Sequence, residues 1–125
     1  MINLLGQVML YVNNQDEEVK FWTEKVGFNL VSEHNNAGFR WIEIAPTNDA
    51  QTSIVLHNKE LIAKMQPELN LSTPSLMFFA KDLDVLYKSF TDKQITVGEL
   101  VTMPSGRVFN FADNEGNYFT VMEKK

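Results

Sequence analysis

The fold is decided by one stretch of sequence, residues 11–28, which reads YVNNQDEEVKFWTEKVGF. It opens with the end of an alternating run, residues 7–12, that is typical of a half-buried strand. Asn14 then offers a helix cap, with Glu17 three residues later and acidic groups at the positive end of the helix dipole. Apolar residues recur at helical spacing until Gly27, a residue type that favours the left-handed conformation ending many helices. The stretch therefore predicts a strand, one helix and a turn.

Three more strand-like runs follow this opening, at residues 28–33, 39–44 and 53–57. Turn-forming residues separate them, Asn-Asn-Ala-Gly at 35–38 and Pro-Thr-Asn-Asp at 46–49. The first half of the chain therefore predicts a βαβββ unit.

The second half of the chain repeats the first. A shift of 68 positions lays Met9 on Met77, Asp16 on Asp84 and Trp22 on Phe90. A shift of 67 lays residues 40–45 over 107–112, and a shift of 65 lays 54–57 over 119–122. The shift changes only at loops, which tolerate insertions. The repeat predicts one domain, residues 1–125, with modules at 1–57 and 75–125 joined by a linker at 58–74, in which 59–65 can form a short helix.

Composition bounds the possible functions. The 125 residues are 44% hydrophobic and 22% charged, as in an ordinary globular domain. The absence of cysteine excludes disulfides, thiolate metal ligands and a cysteine nucleophile. A net charge of -5 with scattered basic residues argues against nucleic acid as a partner. Residues 1–12 lack the features of a signal peptide and are too short for a bilayer span, so we expect a cytoplasmic protein with no membrane partner.

Two motifs carry a resemblance to a known family, the vicinal oxygen chelate (VOC) superfamily of glyoxalases, bleomycin resistance proteins and dioxygenases. Residues 11–28 resemble its strand-then-helix opening, and residues 111–117 resemble its Asp-x-Asp/Glu-Gly-Asn turn before the last strand. The resemblance implies an α+β fold in which two tandem βαβββ modules form a cupped, mostly antiparallel eight-stranded sheet. It also implies helices outside, a ligand site in the cup and a homodimer.

Alternation along the strands predicts two faces. One face is uniformly apolar and is expected to pack under the helices together with Trp22 and Phe90; it carries Val8, Leu10, Val12, Ile42, Ile44, Ile54, Leu56, Phe109, Phe111, Phe119 and Val121. The opposite face is apolar and aromatic with a few polar groups, as a small-molecule pocket should be. Its candidate ligand-binding residues are Gln7, Met9, Tyr11, Trp41, Glu43, His57, Met77, Phe79, Val108, Asn110 and Met122.

The positions that hold metal in many members of the family are filled here by Gln7, Val55, Ser75 and Thr120. Val55 cannot ligate, and the other three are poor ligands for a divalent ion. We therefore expect no metal and no other cofactor. The alternative is an off-pattern metal site built from Gln7, Glu43 and His57.

His57 and Glu43 are also the candidates for catalysis, because a histidine on one strand and a carboxylate on its neighbour suit acid–base work. His34 is predicted to lie at a hairpin, exposed to solvent. Arg40 and Arg107 occupy equivalent repeat positions, where we expect ion pairs or solvated strand ends.

Three functions follow from these patterns. The first is a metal-independent protein of the bleomycin-resistance kind that binds a small apolar or aromatic molecule, with Gln7, Glu43, His57 and Asn110 orienting it by hydrogen bonds. The second is a metal-dependent lyase, isomerase or dioxygenase of the same superfamily with atypical ligands. The third is a non-catalytic dimeric scaffold whose cup is filled by side chains.

Overall fold

A computed structural model describes residues 1–124 and confirms the predicted α+β fold. The chain divides into two compact units, Met1–Thr73 and Pro74–Lys125. Each unit contains a four-stranded sheet with its helices outside, so the eight strands form two sheets. No helix in residues 1–124 has the length and apolar character needed to cross a membrane.

The first unit is a βαβββ module followed by a short helix. Its strands lie in the order β1-β4-β3-β2, with β1 parallel to β4 and the other pairs antiparallel. The elements are β1 (Gln7–Val12), α1 (Gln15–Lys20), a π-helical segment (Phe21–Val26), β2 (Asn29–Asn36), β3 (Phe39–Ala45), β4 (Ser53–Asn58) and α2 (Lys59–Met65).

The second unit repeats this arrangement. Its strands lie in the order β5-β8-β7-β6, again with the outer pair β5 and β8 parallel and the others antiparallel. The elements are β5 (Met77–Ala80), α3 (Leu83–Asp92), β6 (Val101–Met103), β7 (Gly106–Ala112) and β8 (Tyr118–Glu123). The structure thus bears out the duplication that the sequence predicts.

The first helix begins and ends where the sequence predicts. Asn14 caps it by accepting a hydrogen bond from the Glu17 backbone N–H at 3.0 Å. Gly27 ends it in the left-handed conformation, at φ 97°. The second half of the helix, however, winds as a π-helix, and the two adjacent side chains Phe21 and Trp22 are both buried. Sequence periodicity did not reveal this wider turn.

The apolar face of each sheet is buried as predicted, apart from Val8, which is half-buried. In the second unit the Phe90 ring makes edge contacts with the rings of Phe109 and Phe111, at centroid distances of 5.8 and 5.2 Å. Edge-to-face packing of this kind adds stability beyond the burial of apolar area. Trp22 in the first unit is fully buried.

Arg40 and Arg107 form equivalent ion clusters, which confirms the expected ion pairs. Arg40 contacts Asp16 at 2.7 Å, and Arg107 contacts Asp84 at 3.0 Å, so each arginine ties a strand to the start of the preceding helix in its unit. Hydrogen bonds from Arg107 lower the pKa of the Asp84 carboxyl. Each arginine also reaches a second carboxylate, Glu33 or Glu123.

Two strand boundaries differ clearly from the sequence predictions. Ser75, expected at the start of the fifth strand, precedes β5 and is exposed. The β2 strand extends to Asn36, so the turn contains only Ala37 and Gly38, both at positive φ (53° and 86°) as two-residue hairpins of type I′ require. His34 therefore lies within β2, in the β2–β3 hairpin, and its side chain is exposed as predicted.

We predict that Gly27→Ala lowers the free energy of unfolding by about 1 kcal/mol, because a Cβ strains a backbone held in the left-handed region. No atom lies within 4 Å of the added Cβ, so the cost comes from the backbone alone. Gly6→Ala is the matched control, since Gly6 also has open space but no positive φ. Urea denaturation measures both variants, and equal stabilities would contradict the prediction.

Candidate functional site

One face of the first sheet carries a row of aromatic rings that crosses all four strands. Strand register places Tyr11 beside His57, His57 beside Trp41, and Trp41 beside His34. Phe39 precedes Trp41 by two residues on β3 and so points the same way. The core side chains of these strands point to the opposite side. We call the surface formed by these five rings, with Met9 and Glu43 beside them, the aromatic face.

The rings of the aromatic face contact one another. Tyr11 stacks on His57 with centroids 5.8 Å apart, and His34 stacks on Trp41 at 4.8 Å. The Phe39 ring lies between these pairs, 5.4 Å from Trp41 and 5.9 Å from His57. Four of the rings are half-buried and that of His34 is exposed. The row therefore presents an almost continuous aromatic surface.

Glu43 lies in the next row of the same face and is held by its neighbours. Its Oε2 accepts a hydrogen bond from Ser53 Oγ at 2.6 Å, and its Oε1 accepts one from Ser32 Oγ at 3.0 Å. The hydrogen bond from Ser53 is the largest cause of a lowered Glu43 pKa, and the bonds from Ser32 and Gln7 act in the same direction against partial burial. Glu43 is therefore a fixed carboxylate, ionised near neutral pH.

His57 has a different environment, although it shares the aromatic face. Its Nε2 lies 3.2 Å from the Met9 thioether sulfur, which is a weak acceptor. No described residue provides a hydrogen-bond partner for its buried Nδ1 atom. Burial lowers the pKa of the imidazole below its usual 6.5, so the ring is mainly neutral near pH 7.

The three residues of the off-pattern metal hypothesis separate into two groups. Gln7 and Glu43 are hydrogen-bonded, whereas His57 contacts Met9 and makes no hydrogen bond with Glu43. In residues 1–124, no three His, Cys, Asp or Glu side chains gather closely enough to hold a metal ion.

The positions used for metal in the resembled family also do not fit a divalent ion. Val55 is buried and has no donor atom, Ser75 lies outside the strand, and Thr120 Oγ1 donates to Asn110 Oδ1 at 2.7 Å. Transition-metal sites need three or four imidazole, carboxylate or thiolate ligands. These residues supply none of them.

The corresponding face of the second sheet is richer in methionine. Register places Met77 beside Thr120 and Phe79 beside Met122. Val108 and Asn110 continue these two rows on β7. Met77 and Phe79 are half or more exposed, at 50% and 60%. The sequence thus predicted correctly which residues share this face, while a ligand role for them stays a prediction.

A cavity of about 570 Å³ lies at the β6–β7 end of this second sheet, a volume typical of small-molecule sites. We call it the hairpin cavity. Lys124 Nζ lies above the Phe79 ring in its wall, 5.4 Å from the centroid. Its lining residues are Phe79, Thr102, Met103, Pro104, Ser105, Gly106, Arg107, Met122, Glu123 and Lys124. The sequence suggested Phe79 and Met122 but treated the hairpin only as a turn.

Sequence reasoning missed four residues of the aromatic face or its carboxylate network. Phe39 and Ser53 were detectable, because Phe39 stands two positions before Trp41 and Ser53 four positions before His57, and alternation puts them on the same face. Ser32 and His34 were not, because the register of β2 shifts between Leu30 and Ser32. Such a bulge reverses the faces of all residues beyond it.

We predict that His57 makes the fold less stable as the pH falls below 6.5, because the unfolded chain takes up a proton before the folded chain does. The loss of unfolding free energy should level off once the pH lies below the lowered pKa of His57 in the folded protein. His57→Gln should reduce the difference in unfolding free energy between about pH 7.5 and about pH 5.5. Tyr11→Phe is the control variant, because it keeps the aromatic ring beside His57. It should retain the full difference in unfolding free energy between the two pH values. An unchanged pH dependence in His57→Gln would contradict the assignment.

Comparisons with known proteins agree with this architecture. The family model described as the glyoxalase/bleomycin resistance protein/dioxygenase superfamily matches residues 4–121. The uncharacterized protein YetH of Bacillus subtilis (strain 168) is 30% identical over 98% of this chain and 100% of its own length.

Solved structures show the same fold. TnmS3, an antibiotic binding protein from Streptomyces sp. CB03234, superposes with a TM-score of 0.84 at 24% identity, covering 99% of this chain and 98% of that one. Lactoylglutathione lyase from Agrobacterium tumefaciens superposes with a TM-score of 0.75 at 17% identity, covering 98% and 94%. With the family model matching nearly its whole length, this chain belongs to the glyoxalase/bleomycin resistance protein/dioxygenase superfamily.

Proposed function

We propose that this protein binds a small apolar or aromatic molecule without covalent chemistry and without a metal. The row of five contacting rings on the aromatic face carries the proposal. A ligand ring stacked on this row gains aromatic contacts and removes apolar area from water, worth about 25 cal/mol per Å² before ordering costs. The hairpin cavity of the second unit is a candidate binding site in its own right, with a volume typical of small-molecule sites.

The rings are well placed for binding because their neighbours hold them. His57 is stacked on Tyr11 and contacts Met9, and Trp41 lies between His34 and Phe39. Side chains ordered before the ligand arrives lose little further entropy on binding. Gln7 and Glu43 add polar groups to the aromatic face that can orient a ligand. On the second sheet, Asn110 is the polar group that could do so, although it already accepts a hydrogen bond from Thr120.

The structural neighbours support binding as one use of this fold. One of them is described as an antibiotic binding protein and another as a lyase, so the fold alone does not separate the two functions. The residues at the family's metal positions favour binding over metal-assisted catalysis, because Val55 has no donor atom. A homodimer is a further proposal that rests on the family. The cytoplasmic location expected from the sequence also stays a proposal.

We predict that Trp41→Ala weakens the binding of an aromatic probe by about tenfold, because the ring at the centre of the row is lost. The probe is N-phenyl-1-naphthylamine, whose fluorescence rises in an apolar environment. Leu30→Ala is the matched control, because Leu30 is exposed but pairs with Ile44 on the opposite side of the sheet. Equal affinity in Trp41→Ala and the unaltered protein would remove the aromatic face from the site.

We predict that probe binding persists in EDTA, and that no divalent metal raises the melting temperature of chelator-stripped protein. Nickel, zinc, manganese, iron(II) and cobalt are added one at a time, since specific binding stabilises the folded state by mass action. A stabilising metal whose effect disappears in both Glu43→Ala and His57→Ala would contradict the proposal. It would favour the metal-dependent enzyme instead.

A further inference from the structure

The hairpin cavity has a positive charge at one wall, beside apolar side chains. Strand register pairs Phe79 with Met122, and Lys124 follows Met122 by two residues, so all three point to the side of the sheet away from α3. The Lys124 backbone N–H donates to the Ala80 carbonyl oxygen at 2.8 Å, which ties this residue to β5. Its ammonium nitrogen lies 5.4 Å from the centre of the Phe79 ring. A backbone hydrogen bond and a ring contact therefore place the ammonium group at the cavity wall.

The other two charged residues of the lining bind each other. Arg107 Nη2 donates to Glu123 Oε2 at 2.8 Å, and Arg107 Nε donates to Glu123 Oε1 at 3.3 Å. Two further hydrogen bonds from Arg107 reach the Asp84 carboxylate on α3, so four of its five N–H donors are used. Glu123 follows the buried Val121 by two residues, so its side chain points to the helix side of the sheet, where Asp84 lies. This ion cluster therefore offers a ligand little hydrogen-bonding capacity.

Lys124 differs from these residues, because no carboxylate of residues 1–124 forms an ion pair with it. Its three N–H donors are therefore available to a ligand. The strand residues of the second unit that share its side of the sheet carry no charge. They are Met77, Phe79, Val101, Met103, Gly106, Val108, Asn110, Tyr118, Thr120 and Met122.

These features of the hairpin cavity favour one class of ligand. Phe79, Met103 and Met122 offer apolar area, which the body of a ligand removes from water when it covers them. A carboxylate placed against the Lys124 ammonium gains charge-assisted hydrogen bonds, which are about twice as strong as those between neutral groups. A neutral ligand of the same shape lacks this gain, and a cationic ligand is repelled by the ammonium.

We propose that the hairpin cavity binds a small apolar or aromatic molecule that carries a carboxylate, and that Lys124 determines this preference for an anion. The inference rests on the proposed function, because it names the ligand class of the second candidate site. In this arrangement the apolar body of the ligand covers Phe79 and Met122, and its carboxylate accepts hydrogen bonds from the Lys124 ammonium.

The test uses two probes of nearly the same shape, 2-naphthoate, which is an anion near pH 7, and 2-naphthamide, which is neutral. The chain has six methionines, and their ¹³C-labelled methyl groups report binding in a ¹H–¹³C NMR titration. Met103 and Met122 line the hairpin cavity, whereas Met9 lies on the aromatic face. We expect both probes to move the signals of Met103 and Met122, with 2-naphthoate bound about tenfold more tightly than 2-naphthamide.

The variant Lys124→Gln removes the charge and should bring the two affinities within about twofold, whereas Lys124→Arg keeps a cation and should retain the preference for 2-naphthoate. Lys88→Gln is the matched control, because it removes the same charge from an exposed lysine of the same unit that pairs with Asp92 on α3. This control should retain the preference of about tenfold. Added salt should weaken the binding of 2-naphthoate and not that of 2-naphthamide, which tests the idea without any variant.

The outcomes separate this inference from the proposed function. Equal affinities for the two probes, or a preference unchanged in Lys124→Gln, overturn the inference. An equal loss of preference in Lys88→Gln also overturns it, since net charge and not Lys124 would then be responsible. If the probes move the Met9 signal and not those of the cavity methionines, the aromatic face binds them and only the inference fails. If the cavity signals respond as expected but Trp41→Ala leaves the binding of N-phenyl-1-naphthylamine unchanged, the inference stands and the proposed role of the aromatic face fails.

Discussion

Burial of the apolar side of each sheet under its helix determines where every other side chain of the strands can point. Successive residues of a strand face opposite ways, so burying Ile42 and Ile44 directs Trp41 and Glu43 to the other side. The same rule in the second unit buries Phe109 and Phe111 and turns Val108 and Asn110 outward. The candidate site is thus a geometric consequence of the core.

The parts of the fold that depend on local sequence could be predicted from it. Capping by Asn14, the helix end at Gly27 and the alternation of the strands are properties of residue types and their spacing. The register shift before Ser32 depends on how β2 pairs with β3, which no local pattern reveals. For this reason the sequence identified Trp41 and Glu43 but not the serine and histidine that accompany them.

Comparing equivalent positions of the internal repeat shows which residues both units share for their fold and which residues differ between them. Trp22 and Phe90 are both buried, and Arg40 and Arg107 form equivalent ion pairs with Asp16 and Asp84. On the free faces the equivalent residues differ, with Trp41 and Glu43 in the first unit replaced by Val108 and Asn110 in the second. One scaffold, used twice, therefore presents two surfaces of different polarity and charge.

The hydrogen bonds of Glu43 have a consequence for how this protein can evolve. Its carboxylate on β3 accepts hydrogen bonds from all three other strands of the sheet. The donors are Ser32 on β2, Ser53 on β4 and Gln7 on β1. A substitution that removes the charge also takes at least one acceptor oxygen away from these donors. Selection for a different ligand charge would therefore act on sheet stability at the same time. The charge of this face is therefore coupled to the strands that supply its hydrogen-bond donors.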